Sequence, residues 1–324
     1  PLWHRVDALK EQGIRVQTRW WMLLGLLLLI LPWVADEYWV SLLTQMFIFG
    51  LLALATDLLL GHAGLFSLCH AAFFSVAAYT SAILQVRYGF STLIGMAAGV
   101  ALGTSLGLLF GLAVRTRGVY FILVTLAMGY VIWGVGYRWS ALTGGDSGIT
   151  NVPVPSAGGL SVQNGIEMYY VILLIVVLVL ALYARVVASP FGLALRGIKS
   201  GEPRMRSLGF SPARHLYAAF VLSSLLASLA GVLYVCFNKF VNPVSASLHV
   251  NVEAVLMAIV GGSGTLLGPF LGAGLILGLR NWVSTFFELH LAVMGLVFIA
   301  VVLWVPGGVM GLMRRLLASK RGDS

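Results

Sequence analysis

Residues 168–214 read MYYVILLIVVLVLALYARVVASPFGLALRGIKSGEPRMRSLGFSPAR, in which an apolar run gives way to a basic stretch. The run that begins near Met168 is long enough to cross a hydrocarbon core of about 30 Å as a helix. The basic stretch, Arg185 to Arg214, carries six of the chain's cationic residues. At roughly thirty residues it is too long for a tight turn between membrane helices. We therefore predict a cytoplasmic loop that has structure of its own and something to bind.

The whole chain has the composition of a polytopic membrane protein. Its 324 residues include only 10% charged residues and 38 glycines, and its mean hydropathy is +0.97, a balance that no ordinary water-soluble domain shows. Backbone polar groups in lipid are satisfied only within helices or closed barrels, and these continuous runs lack the alternation of barrel strands. The predicted fold is therefore all-α, with a single transmembrane domain over residues 1–324. Apolar runs begin near Trp20, Val40, Phe66, Ser91, Val119, Met168, His215 and Leu289, and a further run from Val252 to Leu279 is cut by glycines.

The distribution of cations predicts the orientation of these helices. With the N-terminus inside and the segments alternating, sixteen of the 20 lysines and arginines fall on the inner side, as the positive-inside rule expects of cytoplasmic loops. The first run is interpreted as a retained helix, because no signal-peptide cleavage pattern precedes Asp36. The count requires the Val252 to Leu279 run to cross twice or to bend at GGSG (Gly261 to Gly264). We predict about ten membrane segments, some short or broken, with both termini cytoplasmic and residues 142–167 as an external loop. The four outer cations are Arg87, Arg138, Lys239 and Arg280.

One predicted helix has a face without side chains. Glycine recurs at every fourth position of GMAAGVALGTSLGLLFG, so another helix can approach it backbone to backbone. We interpret this face as a packing surface rather than as a contact for a transported solute. The glycines are Gly95, Gly99, Gly103, Gly107 and Gly111.

Two glycine-rich breaks interrupt apolar runs, GHAG at Gly61 to Gly64 and GGSGTLLGP at Gly261 to Pro269. In the predicted topology each follows a segment that runs from outside to inside, which indicates a parallel internal duplication, and matching broken helices often line a transport pathway. Asp57 and Glu253 lie a few residues before the breaks, and ionisable groups within a membrane are candidates for function. A hydrogen bond that holds the broken helix end is the competing interpretation. The candidate pathway residues are Asp57, Gly61, His62, Gly64, Glu253, Gly261, Gly262 and Gly264.

The sequence contains no recognisable catalytic or metal-binding motif. His62 and His70 have no third ligand nearby in sequence, and the two cysteines of the chain form no CxxC pattern. The GGSGTLLGP stretch lacks the lysine of a phosphate-binding loop, so the chain has no ATP site of its own. We predict that the chain is not an enzyme and binds no metal or cofactor. Since its cations cluster beside membrane segments, nucleic-acid binding is also disfavoured.

Five stretches, in order along most of the chain, carry a family resemblance. They are GHAGLFSLCHAAFFSVAAYTSAIL (Gly61 to Leu84), RTRGVYFILVTLAMG (Arg115 to Gly129), LTGGDSGI (Leu142 to Ile149), SPFGLALRGIKSGEPRMRSLGF (Ser189 to Phe210) and GGSGTLLGPFLGAG (Gly261 to Gly274). Jointly they resemble the permease subunits of branched-chain amino acid ABC importers, specifically the M-type (LivM-like) subunit. The glycine motifs are specific only in combination.

The resemblance implies a multi-pass permease of the bacterial inner membrane with several partners. These are a homologous H-type permease, two cytoplasmic ABC ATPase subunits that bind ATP and Mg, and a periplasmic solute-binding protein. The implied cargo is a branched-chain amino acid, or a related small solute such as an amide, urea or an organic acid.

The resemblance also implies a coupling helix that rests in a groove of the ATPase, within the cytoplasmic loop at 185–214. Carried onto this sequence it lies near residues 202–209, with Pro203 in its first turn, where proline is tolerated. We expect Met205 and Leu208 to pack into the groove and the neighbouring arginines to contact its acidic rim. The implied coupling residues are Glu202, Arg204, Met205, Arg206, Ser207, Leu208 and Gly209.

Two other classes of protein remain as alternatives. A secondary transporter or channel would use Asp57 or Glu253 as an ion or proton site at a broken helix. A membrane-embedded enzyme is disfavoured, because these carboxylates and the histidines at 62 and 70 have no recognisable catalytic spacing.

Overall fold

The computed structural model describes residues 25, 28–157, 160–161, 164–286, 295–296 and 307–312. The predicted segments near Trp20 and Leu289 and the predicted cytoplasmic termini fall mainly outside these residues. Helices dominate the described part, which confirms the all-α prediction, and one short hairpin is the exception within it. The helices with printed bounds are α1 (Glu37–Asp57), α2 (His70–Val86), α3 (Thr92–Phe110), α4 (Val119–Arg138), α5 (Ser140–Thr143), α6 (Gly165–Ala188), α7 (Pro190–Ser200), α8 (Glu202–Ser207), α9 (Pro212–Asn238), α10 (Leu248–Gly261) and α11 (Gly268–Phe286).

Five helical stretches of the described part are long and apolar enough to cross a membrane. Two helices are shorter: α2 has 17 residues and α10 has 14, which corresponds to about 26 and 21 Å at 1.5 Å per residue. The chain is therefore a multi-pass membrane protein with some short segments, and the total of about ten stays a prediction. The five stretches are Glu37–Ala63, Thr92–Arg115, Val119–Arg138, Gly165–Ala188 and Pro212–Asn238.

Local sequence signals set several helix starts. Asn164 and Glu167 form a capping box at the start of α6, which satisfies backbone N–H groups that a helix leaves unpaired there. Pro190 and Pro212 occupy the first turns of α7 and α9, where the missing N–H of proline has no cost. The capping box ends the predicted external loop, whereas the two prolines start helices within the stretch at 185–214.

Helix α1 lies at the centre of the bundle and packs against α6, α9, α10 and α11. Every residue from Phe47 to Asp57 is buried. Helix α2 packs between α3 and α9, and the glycine face of α3 lies against both. A side-chain carbon at Gly103 would overlap Ser228 of α9, and one at Gly107 would overlap Ser224. The absent side chains therefore let α3 approach this close to the serines of α9.

Helices α10 and α11 form an antiparallel hairpin that turns at the second glycine break. A side chain at Gly261 would overlap the backbone of Gly268, and one at Gly272 would overlap the backbone of Met257. The apolar run from Val252 to Leu279 thus bends at GGSG, which is one of the two arrangements that the topology allows.

The predicted external loop contains short elements of its own. It includes a 3-10 turn (Gly145–Ser147) and a hairpin of β1 (Ser156–Ala157) and β2 (Leu160–Ser161). Ile149 and Val241 exchange backbone hydrogen bonds of 2.8 and 3.1 Å. These bonds fasten the loop to the segment that follows α9.

Candidate functional site

The two glycine breaks contact each other in the folded chain. The backbone N–H of Gly264 donates to the carboxylate of Asp57, with N–O distances of 2.8 and 3.1 Å to its two oxygens. Asp57 is 0% exposed, and a side chain at Gly61 would overlap the backbone of Gly264. The first break is thus joined to the second by a hydrogen bond and by close backbone contact.

The first break is a change of helix type at the end of α1. The last turn, Leu58–Ala63, is a π-helix that ends at Gly64, whose φ of 74° is left-handed. Glycine adopts this conformation without the steric cost that a side chain adds. Widened turns of this kind leave carbonyl groups without regular partners and recur at functional sites.

The second break is a tight turn that starts a new helix. Gly262 and Gly264 have φ values of 114° and 76°. The hydroxyl of Thr265 donates to the carbonyl of Gly262 at 2.6 Å and accepts from the N–H of Gly268 at 3.1 Å. Thr265 therefore fixes the turn before α11 and pairs the N–H of the first residue of that helix, a role that the sequence interpretation missed.

His62 and Tyr183 lie beside a cavity near the two breaks. Nδ1 of His62 is 3.4 Å from the hydroxyl of Tyr183. The cavity, of about 280 Å³, is also lined by Arg196, Gly264 and Leu266. Polar groups from three segments therefore converge where the glycine breaks meet.

Glu253 is separated from this region. Its carboxylate pairs with Arg280 at 3.0 Å and is almost fully buried. Eight helical residues, about 12 Å at 1.5 Å per residue, separate Glu253 from Gly261. Glu253 therefore lies about two helical turns before the second break, near the middle of α10, and its place in a transport pathway stays a prediction.

Helix α8 lies where the coupling helix is expected. Most residues of α8 and of the three positions that follow it are exposed. Its end has the two hydrogen bonds of a Schellman motif, from Phe210 N to Met205 O and from Gly209 N to Arg206 O. Gly209 has a φ of 86°, which suits the left-handed residue of this motif. Leu208 is 67% exposed. The exposed residues are Pro203, Arg204, Arg206, Ser207, Leu208, Gly209 and Phe210.

Two members of the predicted coupling set turn towards the protein instead. Met205 is partly buried against the core, and its side chain covers Gly197 of α7, where an added carbon would overlap the sulfur. Glu202 forms ion pairs with Arg117 and with Arg206. Met205 therefore joins α8 to α7 in this conformation, and its packing into a partner's groove stays a prediction.

Lys199 links the stretch at 185–214 to the first break. Its ammonium donates to the carbonyl of Gly61 at 2.7 Å, and its side chain covers Gly64. The sequence interpretation gave Lys199 only a role in orientation, because no local pattern marks a contact with a residue 138 positions away.

Buried polar residues also fix the start of α2. The side chain of Asn251 accepts from the N–H of Ala71 at 2.8 Å. Nε2 of His70 is 2.5 Å from the hydroxyl of Ser223, which donates to the carbonyl of Ala55. Because that hydroxyl proton is already used, Nε2 of His70 is the donor.

Within the described residues, no group of three His, Cys, Asp or Glu is placed to hold a metal ion.

Comparison with known proteins places the chain among transport permeases. A family model described as the permease component of branched-chain amino acid transport systems matches residues 38–302. The high-affinity branched-chain amino acid transport system permease protein LivM of Salmonella typhimurium strain LT2 is 29% identical over 330 residues, with 93% of this chain and 77% of the relative covered. LivM of Escherichia coli K12 is 28% identical over 326 residues with the same coverage.

A more distant relative transports a different kind of solute. The fructose import permease protein FruF of Bifidobacterium longum NCC 2705 is 24% identical over 203 residues, which covers 61% of this chain and 55% of that protein. No solved structure matches the chain.

Proposed function

The chain belongs to the family of permease components of branched-chain amino acid transport systems, and we propose that it is the M-type permease subunit of an ATP-driven importer. The match over residues 38–302 carries this proposal. The chain would pass branched-chain amino acids, or a related small solute, across the inner membrane. FruF, in the same comparison, is a fructose importer, so the choice of cargo rests on the likeness to LivM.

The proposed machine contains three other kinds of component beside the bilayer, four partner subunits in all. A homologous H-type permease pairs with this chain, a periplasmic binding protein delivers the solute, and two ATPases bind ATP and Mg on the cytoplasmic side. About ten membrane segments with cytoplasmic termini are part of the proposal. The absence of a phosphate-binding lysine motif from the sequence supports the separation of permease and ATPase.

We propose that α8 is the surface on which an ATPase acts. Arg204, Arg206 and Leu208 are exposed on one short helix, and the cations suit an acidic rim around an apolar groove. Glu202 and Met205 are engaged within the chain, so they hold α8 in place while the exposed residues meet the partner.

The same geometry weighs against the secondary transporter or channel. Both oxygens of Asp57 face the N–H of Gly264, and Glu253 is paired with Arg280. An ion or proton site needs a carboxylate that the transported ion reaches, whereas these two carboxylates are nearly inaccessible and already bonded.

The decisive experiment reconstitutes the chain with the four partner components in proteoliposomes and measures uptake of labelled leucine with ATP inside. We expect ATP-dependent uptake that is insensitive to a protonophore. The triple variant R204A/R206A/L208A should lose uptake and ATPase stimulation, while R185A, at an exposed cation outside the coupling set, should retain both. Uptake driven by an ion gradient without the ATPases would refute the proposal.

A further inference from the structure

Lys199 joins two parts of the chain that the proposed function connects. The carbonyl of Gly61 belongs to the last turn of α1, where carbonyls lack regular helical partners. The ammonium of Lys199 donates to it at 2.7 Å. A cation at this end also complements the helix dipole. Lys199 thus fastens α7 to the first glycine break.

A continuous series of contacts leads from α8 to that bond. Met205 of α8 covers Gly197 of α7, and α7 buries its apolar face, Ala194, Leu195 and Ile198, against the bundle. Lys199 is the next residue on α7 after this face. A displacement of α8 therefore reaches Lys199 through packed side chains and one helix.

The series continues from the first break to the second. Gly61 lies four residues after Asp57, and the carboxylate of Asp57 holds the N–H of Gly264. Lys199 therefore contacts the first break directly. The hydrogen bond between Gly264 and Asp57 then connects the first break to the second.

We propose that Lys199 is a coupling residue: it transmits the movement of the cytoplasmic loop to the joined glycine breaks and stays attached to the first break during transport. The inference rests on the proposed function, because it needs an ATPase that moves α8. It differs from a purely stabilising role, in which Lys199 would only cap the end of α1.

The test compares K199M, K199R and R185M in the reconstituted importer. Arg185 is an exposed cation of the same loop and makes no hydrogen bond or ion pair that the described part of the chain shows, so R185M controls for loss of one inner charge. We expect K199M to assemble and hydrolyse ATP at nearly the wild-type rate, while solute transported per ATP falls about tenfold, the factor that loss of one charge-assisted bond implies. K199R should restore part of the ratio, and R185M should leave it unchanged.

If K199M fails to assemble, an engineered disulfide can take the place of the hydrogen bond between Lys199 and Gly61. An added Cβ at Gly64 lies 3.4 Å from Cβ of Lys199, close to the separation in a disulfide. In a background where Cys69 and Cys236 are alanine, G64C/K199C should transport poorly when reduced and regain transport per ATP when oxidised, and G64C alone shows the cost of a side chain at that position.

The outcomes separate the two proposals. An unchanged ratio of solute transported to ATP hydrolysed in K199M overturns the coupling role. The coupling role is also overturned if K199M loses uptake, ATPase activity and assembly in parallel and the oxidised G64C/K199C variant regains no transport. In both cases the wild-type importer still works, so the proposed function stands. A wild-type complex without ATP-dependent uptake would instead refute the proposed function.

Discussion

Substitution of Asp57 by alanine or asparagine measures what its buried carboxylate contributes. The two oxygens share one donor, the N–H of Gly264, so they count as one hydrogen bond to a charged group, which contributes about 1.5–3 kcal/mol. Alanine removes the acceptor and leaves the N–H unpaired, so we expect D57A to lower the free energy of unfolding by about 2 kcal/mol. Asparagine keeps a carbonyl acceptor, and neutral bonds are about half as strong as charge-assisted ones, so D57N should lose about 1 kcal/mol.

The assay combines denaturant unfolding of the purified permease in mild detergent with uptake in proteoliposomes. Since the carboxylate joins the two breaks and is 0% exposed, D57N should retain most ATP-driven uptake. D36N is the matched control, because Asp36 is exposed at the start of α1 and makes no capping bond. We expect D36N to change the free energy of unfolding by less than about 0.5 kcal/mol. A D57N protein of normal stability that no longer transports would show that the carboxylate acts on an ion or solute, and the structural argument would be wrong.

Three further predictions concern packing, a helix end and an ion pair. G107V forces a side chain into Ser224 and should destabilise the permease by about 1–3 kcal/mol, whereas G134A, in open space, should be neutral or stabilising in the same unfolding assay. G209A places a side chain at a φ of 86° at a cost of about 1–2 kcal/mol, so α8 should fray and ATPase stimulation should fall. Stimulation equal to that of the wild type would contradict the role of Gly209 in ending α8. E253A should lower the free energy of unfolding by less than the roughly 3–5 kcal/mol that breaking a fully buried ion pair costs, because Arg280 is 32% exposed. A double-mutant cycle with R280A should show positive coupling between the two residues.

Apolar runs and glycine spacing predicted much of the fold, because both report local helix geometry. The run from Met168 became α6, the first glycine break became a π-helix, and the second became a tight turn. The position of α8 came from the family resemblance rather than from the residues alone. The contact of Met205 with Gly197 of α7 left no signal in the sequence, because a methionine on a short polar helix suits a partner's groove and a neighbouring glycine equally well.

Contacts between distant residues left no comparable signal. Asp57 and Gly264 are 207 positions apart, and Lys199 meets Gly61 only after α7 folds under the bundle. Periodicity describes one helix at a time, so the sequence could place Asp57 before one break and a glycine turn at the other without indicating that they bond. The contact between the breaks depends on the packing of α10 and α11 on α1.

The bond between the breaks also bears on how cargo is recognised. Intramembrane carboxylates are candidate ligands because burial is costly for an unpaired charge, yet here Asp57 and Glu253 have their charge balanced or bonded within the chain. A solute that approached Asp57 would have to displace the N–H of Gly264 and separate the breaks, and it would lose the hydrogen bond that holds the second break in position. Strong binding of an amino group at this carboxylate would therefore oppose the rigid connection on which coupling depends. In the proposed importer, selection of the solute would fall to the proposed binding protein and to groups such as those around the His62 cavity, where Tyr183 and Arg196 present polar atoms beside apolar walls.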